Sequence, residues 1–251
     1  IQFIRYAALV QKAGSRVVVE CPGCLVPLLA TCPGIDCLVV EKQPLPEFDV
    51  QAPLLSLPAL LKTTLASVPA SIPYLHAEAS RVASWRHRLG NGREIRVGVV
   101  WQGNPRCRGD RNRSFPLGCL APLAAVAGVR LFSLQKEHGL EQLTAANRRV
   151  PITVLEGLDA EGGAFMDTAA VMRSLDLVVT ADTAAAHVAG ALGVPVWLAL
   201  SRVADWRWGL TGETTPWYAT MRLFRQSRLG DWRSLFEGLA SQLPQEVRRK
   251  R

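Results

Sequence analysis

Apolar stretches alternate with helical patterns along most of the chain. The clearest unit runs from Leu175 to Leu200, where two apolar stretches flank an alanine-rich segment. Such stretches are typical of strands that are buried on both faces of a parallel sheet. The oxygens of Asp182 and Thr183 can cap the alanine-rich segment, and Gly193 can end it, so we predict a helix there. The unit is a predicted strand–helix–strand crossover, which makes its two strands parallel.

The segment before residue 93 shows the same alternation. We predict strands over 16–20, 37–40 and 48–52, and helices over 1–13, 22–30, from 56 onward and over 77–89. Because Ile1 already lies in a helical pattern, we expect this first α/β domain to lack its opening strand, which would precede Ile1.

A second alternating series begins at Arg96. We predict strands over 97–101, 129–134, 152–155, 175–179, 194–198 and 222–225, and helices over 117–126, 139–147, 165–174 and 232–243. The chain is therefore predicted to be an α/β protein with an N-terminal domain (1–92), a second domain (93–230) and a C-terminal helix with a basic tail (231–251). The basic tail from Arg248 to Arg251 follows Pro244 and is expected to form a solvated, frayed end.

Composition narrows the function classes only partly. The 251 residues are 49% apolar and carry a net charge of +8, which favours anionic partners: nucleic acid, a membrane surface or a phosphorylated substrate. No apolar run is long enough to cross a membrane and no signal-peptide pattern is present, so we expect a cytoplasmic location. A peripheral contact with a membrane remains open.

Six cysteines raise the alternative of a metal or redox site. Cys21-Pro22-Gly23-Cys24 has the CxxC spacing, but Cys32 and Cys37 are separated by four residues and no histidine lies near. We therefore favour reduced, buried cysteines that act as small core residues.

A candidate anion site follows the strand over 175–179. A helix N-terminus offers unpaired amides and a partial positive charge that suit phosphate. Thr183 and His187 are four residues apart and share one face of the predicted helix, beside the small Ala184. The alternative is that Asp182 only caps the helix and His187 is a packed polar residue.

Two further polar loops are expected at the same edge of the sheet, because parallel strands end at one edge. The first runs from Gln102 to Arg113 and carries four arginines, whose guanidinium groups suit phosphate. The second, 133–137, contains Gln135. A solvated loop is the alternative for the arginines.

The segments GVVWQGNPRCRGDRNRSFPL, LFSLQ and DLVVTADTAAAHVAGALGVPVWLAL, followed by DWRW and TPWYATMRLFRQ, resemble the glycosyltransferases related to heptosyltransferases (family 9-like). In bacteria these modules often follow tetratricopeptide repeats, and they share the GT-B fold with O-GlcNAc transferases. The resemblance implies two Rossmann-like domains with parallel sheets, the N-terminal one incomplete. It also implies transfer of a sugar from a nucleotide-diphosphate donor, with neither a metal nor another cofactor.

The resemblance implies a role for seven residues of the donor site. Those expected to bind the diphosphate and its sugar are Asp182, Thr183, Ala184 and His187; Gln135 is expected at the nucleoside, and Asn104 and Arg113 are expected to offset charge on the leaving phosphate. The catalytic residue is unknown. In the family an acidic residue precedes the Gln-Phe-x-Arg-Tyr segment, so a general base is expected upstream of Ile1, and Glu47 or Asp49 is a weak substitute.

Several alternatives stay open. The chain is either an active transferase, whose acceptor is a protein, a glycan or a lipid-linked molecule, or a catalytically inactive GT-B-like binding or scaffold domain. A nucleic-acid partner is not expected, since no nucleic-acid motif accompanies the arginines. Trp206, Trp208 and Trp217 could stack on a base or a sugar, but for Trp206 and Trp208 we favour packing of their loop against the protein.

Overall fold

The computed structural model describes residues 1–146 and 150–249. Eight strands occur in this part of the chain, and each pairs in parallel with its neighbours. They are β1 Val18–Cys21, β2 Cys37–Val40, β3 Ile95–Val100, β4 Val129–Ser133, β5 Ile152–Val154, β6 Leu177–Ala181, β7 Val196–Leu200 and β8 Met221–Arg225.

The helices of the described residues fill the connections between these strands. They are α1 Ala7–Lys12, α2 Val26–Leu29, α3 Leu57–Leu60, α4 Ala79–Leu89, α5 Asp110–Arg113, α6 Ala121–Ala124, α7 Glu141–Ala146, α8 Met166–Met172, α9 Ala184–Ala191 and α10 Trp232–Arg249. Short 3-10 turns precede several of them, including Phe3–Tyr6 before α1. Residue 147, the predicted end of α7, lies outside the described residues.

The larger sheet has six strands in the order β5-β4-β3-β6-β7-β8. Its strand order reverses between β3 and β6, which are hydrogen-bonded neighbours from Val97↔Leu177 to Val100↔Thr180. In a doubly wound sheet such a reversal opens a crevice beyond the carboxyl ends of the two strands. The predicted α/β class with parallel sheets is confirmed.

The smaller sheet contains β1 and β2 alone. The strand predicted over 48–52 is wrong: these residues form no regular element, and Val50 is 87% exposed. Prolines flank this stretch at positions 46 and 53, and no neighbouring strand buries its apolar side chains. The predicted helix over 22–30 is shorter than expected, because a 3-10 turn over Gly23–Leu25 precedes α2.

Two clusters of buried apolar side chains cover the two faces of the larger sheet. One joins Ile4 and Leu75, from before residue 93, to Val188 of α9 and Leu198 of β7. The other lies beneath α6 and α10 and includes Phe236.

The C-terminal helix is longer than predicted. The frayed end expected from Arg248 is wrong for Arg248 and Arg249, since α10 continues through Pro244 to Arg249. The apolar face of α10, which includes Phe236, Leu239 and Leu243, anchors the helix on the sheet up to the residue before the proline. The last two residues of the chain lie outside the described part.

Candidate functional site

The candidate site lies where β6 leads into α9, beside the strand-order reversal. Thr183 is the N-cap residue in an extended conformation (φ −134°, ψ 176°), and no side chain hydrogen-bonds to cap this helix. The predicted capping by Asp182 or Thr183 is therefore wrong, because the Thr183 hydroxyl instead lies 3.5 Å from that of Thr180. Ala184, the first residue of the helix, is exposed. Within the described part of the chain, the N-terminal end of α9 thus has no side-chain cap and lies at an accessible edge.

The arginine-rich loop reaches this helix tip. Nη1 of Arg113 donates a hydrogen bond to the backbone carbonyl of Asp182 (2.9 Å), and Nε donates to Oδ1 of Asp110 (2.9 Å). Asp110 is buried and its second oxygen accepts from the Ser114 hydroxyl (3.0 Å), which in turn accepts the Gly103 N–H (3.0 Å). Arg113 is therefore fixed at the tip by the buried Asp110 and the Asp182 carbonyl, whereas the other three arginines of the loop, at positions 106, 108 and 111, are exposed.

Gly103 allows this arrangement because it has no side chain. A Cβ at this position would collide with Oδ1 of Asp110 and would lie 2.8 Å from Nη2 of Arg113. The roles of Asp110 and Ser114 as partners of Arg113 and Gly103 were not predicted from the sequence. Their spacing, an acidic residue followed by Arg113 three positions later and by serine at four, is the signal that could have indicated them.

Asn104 and Gln135 lie after β3 and β4, in the two loops predicted to share this edge. Asn104 is exposed, and its side-chain oxygen accepts the backbone N–H of Arg106 (2.9 Å). Gln135 is buried; its side-chain carbonyl accepts the N–H groups of Trp101 and Gln102 (both 2.9 Å). The amide nitrogen of Gln135 donates to the carbonyls of Gln102 (2.8 Å) and His138 (2.7 Å). Both polar atoms of Gln135 thus engage backbone and hold the two loops together.

His187 lies one turn into α9 and is half-buried. Its Nδ1 is 2.9 Å from the hydroxyl oxygen of Tyr218, and its ring stacks on Trp208 with 5.4 Å between centroids and 17° between planes. Burial lowers the pKa of His187 to about 3. The imidazole is therefore neutral at physiological pH and can contribute a hydrogen bond, but not a positive charge, to an anion.

Asp182 is the acidic residue at the tip. Burial raises the pKa of its carboxyl group, and the nearby indole N–H of Trp208 and the guanidinium of Arg113 partly oppose this rise. The indole N–H itself is buried and makes no hydrogen bond of standard geometry within the described residues. Burial thus makes the Asp182 carboxyl group harder to ionise than an ordinary aspartate.

We predicted that Trp206 and Trp208 pack their loop against the protein, and this prediction is confirmed for Trp208 alone. Trp208 is buried, as is Trp217, whose Nε1 donates to the carbonyl of Arg207 (3.0 Å). Trp206 remains 65% exposed, so the packing interpretation is wrong for this residue. Because Arg207 and Trp208 supply the inward contacts of the short 3-10 turn, the ring of Trp206 faces outward.

The cysteines only partly follow the expectation of buried core residues. All six have free thiols; Cys21 and Cys32 are buried, whereas Cys24 and Cys107 are exposed because they lie in a turn after β1 and in the arginine loop. Among residues 1–146 and 150–249, no group of three or more His, Cys, Asp or Glu side chains is placed to hold a metal ion. None of the helices described in these ranges has both the length and the apolar character needed to cross a bilayer.

No family model matches the sequence. Protein FlbA of Caulobacter vibrioides (strain ATCC 19089 / CIP 103742 / CB 15) is 28% identical over 187 residues, which are 73% of this chain and 31% of that protein. The chain thus spans about a third of the length of the curated relative it matches.

Solved glycosyltransferases share the fold. E. coli ADP-heptose lps heptosyltransferase II superposes with a TM-score of 0.59 at 13% identity, covering 98% of this chain and 95% of that one. A family 9 glycosyl transferase from Veillonella parvula gives 0.53 at 13% identity (98% and 77%), and E. coli heptosyltransferase WaaC with ADP gives 0.54 at 14% identity (99% and 94%). The chain has the GT-B fold of these enzymes, as the sequence resemblance implied.

Proposed function

We propose that this chain binds a nucleotide-diphosphate sugar at the tip of α9 and takes part in transferring that sugar to an acceptor hydroxyl. The observation that carries the proposal is the hydrogen bond between Arg113 and the Asp182 carbonyl. It holds a guanidinium group beside helix amides that no side chain caps. Amides and a guanidinium are the donors that suit a diphosphate.

In this reaction the acceptor oxygen attacks the anomeric carbon while the bond from that carbon to the diphosphate oxygen breaks. Negative charge then grows on the leaving diphosphate, and fixed donors around it stabilise the transition state. We assign that task to the α9 amides at Ala184, to the Thr183 hydroxyl and to Arg113, without a metal. His187 adds a neutral hydrogen bond, and Asn104 a polar contact at the rim.

Gln135 has a different part in this proposal from the one implied by resemblance. Its side chain binds the loops after β3 and β4, so we assign it to positioning the nucleoside side of the site. The general base stays unassigned, as do the sugar, the nucleotide and the choice among protein, glycan and lipid-linked acceptors. A cytoplasmic location belongs to the same proposal.

Calorimetric titration with ADP, UDP and GDP in the presence of EDTA tests donor binding. We expect at least one nucleotide to bind, and Arg113→Ala to weaken it by about tenfold or more, since a charge-assisted hydrogen bond contributes roughly 1.5–3 kcal/mol. Arg108→Ala, an exposed arginine of the same loop, is the matched control and should bind as the wild type does. Absence of binding by all three nucleotides, or equal loss in both variants, contradicts the proposal.

A turnover assay distinguishes an active transferase from the inactive-scaffold alternative. If the chain binds a nucleoside diphosphate but releases none from any nucleotide-sugar donor in the presence of acceptor extracts, it is a binding domain. Release that depends on Arg113 supports the transferase.

A further inference from the structure

A buried arginine lies behind the candidate site. Arg5 is 4% exposed, and its guanidinium donates to the carbonyls of Gln2 (3.0 Å) and Trp217 (2.6 Å) and to the hydroxyl of Tyr74 (2.9 Å). Within the described chain no carboxylate forms an ion pair with it. Instead, Arg5 makes cation–π contacts: its guanidinium carbon lies 4.4 Å from the ring centroid of Tyr74 and 4.6 Å from that of Tyr218.

Two hydroxyl groups connect this arginine to His187. The Tyr74 hydroxyl accepts from Arg5, because a guanidinium has donors only. It lies 3.4 Å from the hydroxyl of Tyr218, which is 2.9 Å from Nδ1 of His187. Arg5 and Tyr74 precede residue 93, whereas Tyr218 and His187 follow it.

The direction of the last hydrogen bond follows from electrostatics. A phenol O–H is a stronger donor than a neutral imidazole N–H, and an imidazole nitrogen is a stronger acceptor than a phenol oxygen. The positive charge of Arg5 beside the Tyr218 ring turns the negative end of the hydroxyl dipole towards itself and the hydrogen away from itself. Since Tyr218 is closer to His187 than to Tyr74, its hydrogen is directed to Nδ1.

We propose that Tyr218, oriented by the buried Arg5, holds His187 in the tautomer that carries its proton on Nε2, so that Nε2 donates a hydrogen bond to the bound diphosphate. A helical side chain leans towards the helix N-terminus, so the His187 ring lies over the turn that begins at Thr183. Burial keeps the imidazole neutral, and a neutral ring needs one defined tautomer to donate reliably. Tyr218 is thus a positioning residue.

The ligand named in this inference rests on the proposed function, but the tautomer does not. It is measured without a ligand, by ¹⁵N NMR of protein labelled at its histidines near pH 7, with the His187 signals assigned from a His187→Gln variant. We expect wild-type His187 to be protonated on Nε2 alone. The tautomer is observed on the wild-type protein and the variant serves only to assign the signals; protonation on Nδ1 overturns the proposal.

Tyr218→Phe removes only the hydroxyl and is the second arm of the experiment. We expect it to introduce the Nδ1-protonated tautomer at His187 and to weaken nucleotide-diphosphate binding by roughly fivefold to tenfold, the equivalent of one neutral hydrogen bond. An unchanged tautomer in Tyr218→Phe overturns the role of Tyr218. If the tautomers behave as expected but no nucleotide binds the wild type, the proposed function fails and the positioning of His187 stands.

Discussion

Nη1 of Arg113 lies 2.9 Å from the carbonyl oxygen of Asp182. This hydrogen bond joins the loop after β3 to the turn after β6, and β3 and β6 are the two strands at which the sheet order reverses. Since Nε is bound to Asp110, the Nη2 group of Arg113 is the part of the guanidinium with no hydrogen bond within the described residues. We therefore expect Nη2 to be the donor that meets an anion at the helix tip.

Replacement of Arg113 by lysine keeps the charge but removes the planar fork. A lysine cannot hold the Asp182 carbonyl and Asp110 while also presenting a third donor. We expect Arg113→Lys to raise the Kd for nucleotide diphosphate by about tenfold, measured by calorimetry. Arg108→Lys provides the comparison, and equal Kd values for the two variants would show that position 113 acts through charge alone.

Gly103 is expected to tolerate no side chain. A Cβ there would collide with Asp110 and crowd Arg113, so we expect Gly103→Ala to lower the free energy of unfolding by about 1–3 kcal/mol and to weaken nucleotide binding. Gly118→Ala is the control, because a Cβ at Gly118 meets nothing within 4 Å. Urea denaturation of both variants checks this, and equal stability would mean that the loop relaxes without cost.

A second pair of glycines tests the packing behind His187. A Cβ on Gly190 would lie 2.5 Å from Cδ1 of Tyr218, whereas one on Gly238, in α10, meets nothing within 4 Å. Alanine favours helix over glycine by about 1 kcal/mol. We expect Gly238→Ala to stabilise the protein and Gly190→Ala to destabilise it by about 1–3 kcal/mol. Stabilisation by both substitutions would contradict the close fit of Tyr218 against α9.

The lowered pKa of His187 predicts that the folded protein is sensitive to acid. The pKa of His187 is lowered from 6.5 to about 3. Between these values the unfolded chain binds a proton that the folded chain does not, so the free energy of unfolding falls as the pH falls. The loss from pH 7 to pH 5 should be about 2 kcal/mol larger in the wild type than in His187→Gln.

Urea denaturation at the two pH values measures this difference. His87→Gln, at an exposed position of α4, is the matched control for the loss of a histidine. The interpretation of His187 as a neutral ring would be falsified if His187→Gln kept the wild-type pH dependence.

The sequence predicted the elements whose pattern is local. The two strands of the unit from Leu175 to Leu200 were predictable because each is an apolar stretch that is buried along its whole length. The stretch over 48–52 alternates apolar and polar residues as a strand can, but it has no partner strand, and only the tertiary structure shows that. The pairing of two strands depends on residues far apart in the sequence, so the composition of one segment cannot predict it.

The candidate site could likewise be predicted only in part from the sequence. Polar loops at one sheet edge follow from topology, so the meeting of Arg113 with the α9 tip was predictable. The uncapped state of that helix was not, since Asp182 and Thr183 are both good capping residues. Likewise the chain from Arg5 to His187 joins residues far apart in sequence, and no periodic pattern marks such contacts.

The central claim is that the tip of α9 and Arg113 hold a diphosphate. A crystal structure of the chain with the tightest-binding nucleoside diphosphate tests it most directly. We predict phosphate oxygens within hydrogen-bond distance of the Ala184 amide and of Nη2 of Arg113. A nucleotide that is well ordered at another place, with the α9 tip and Arg113 making no contact to it, would contradict the account.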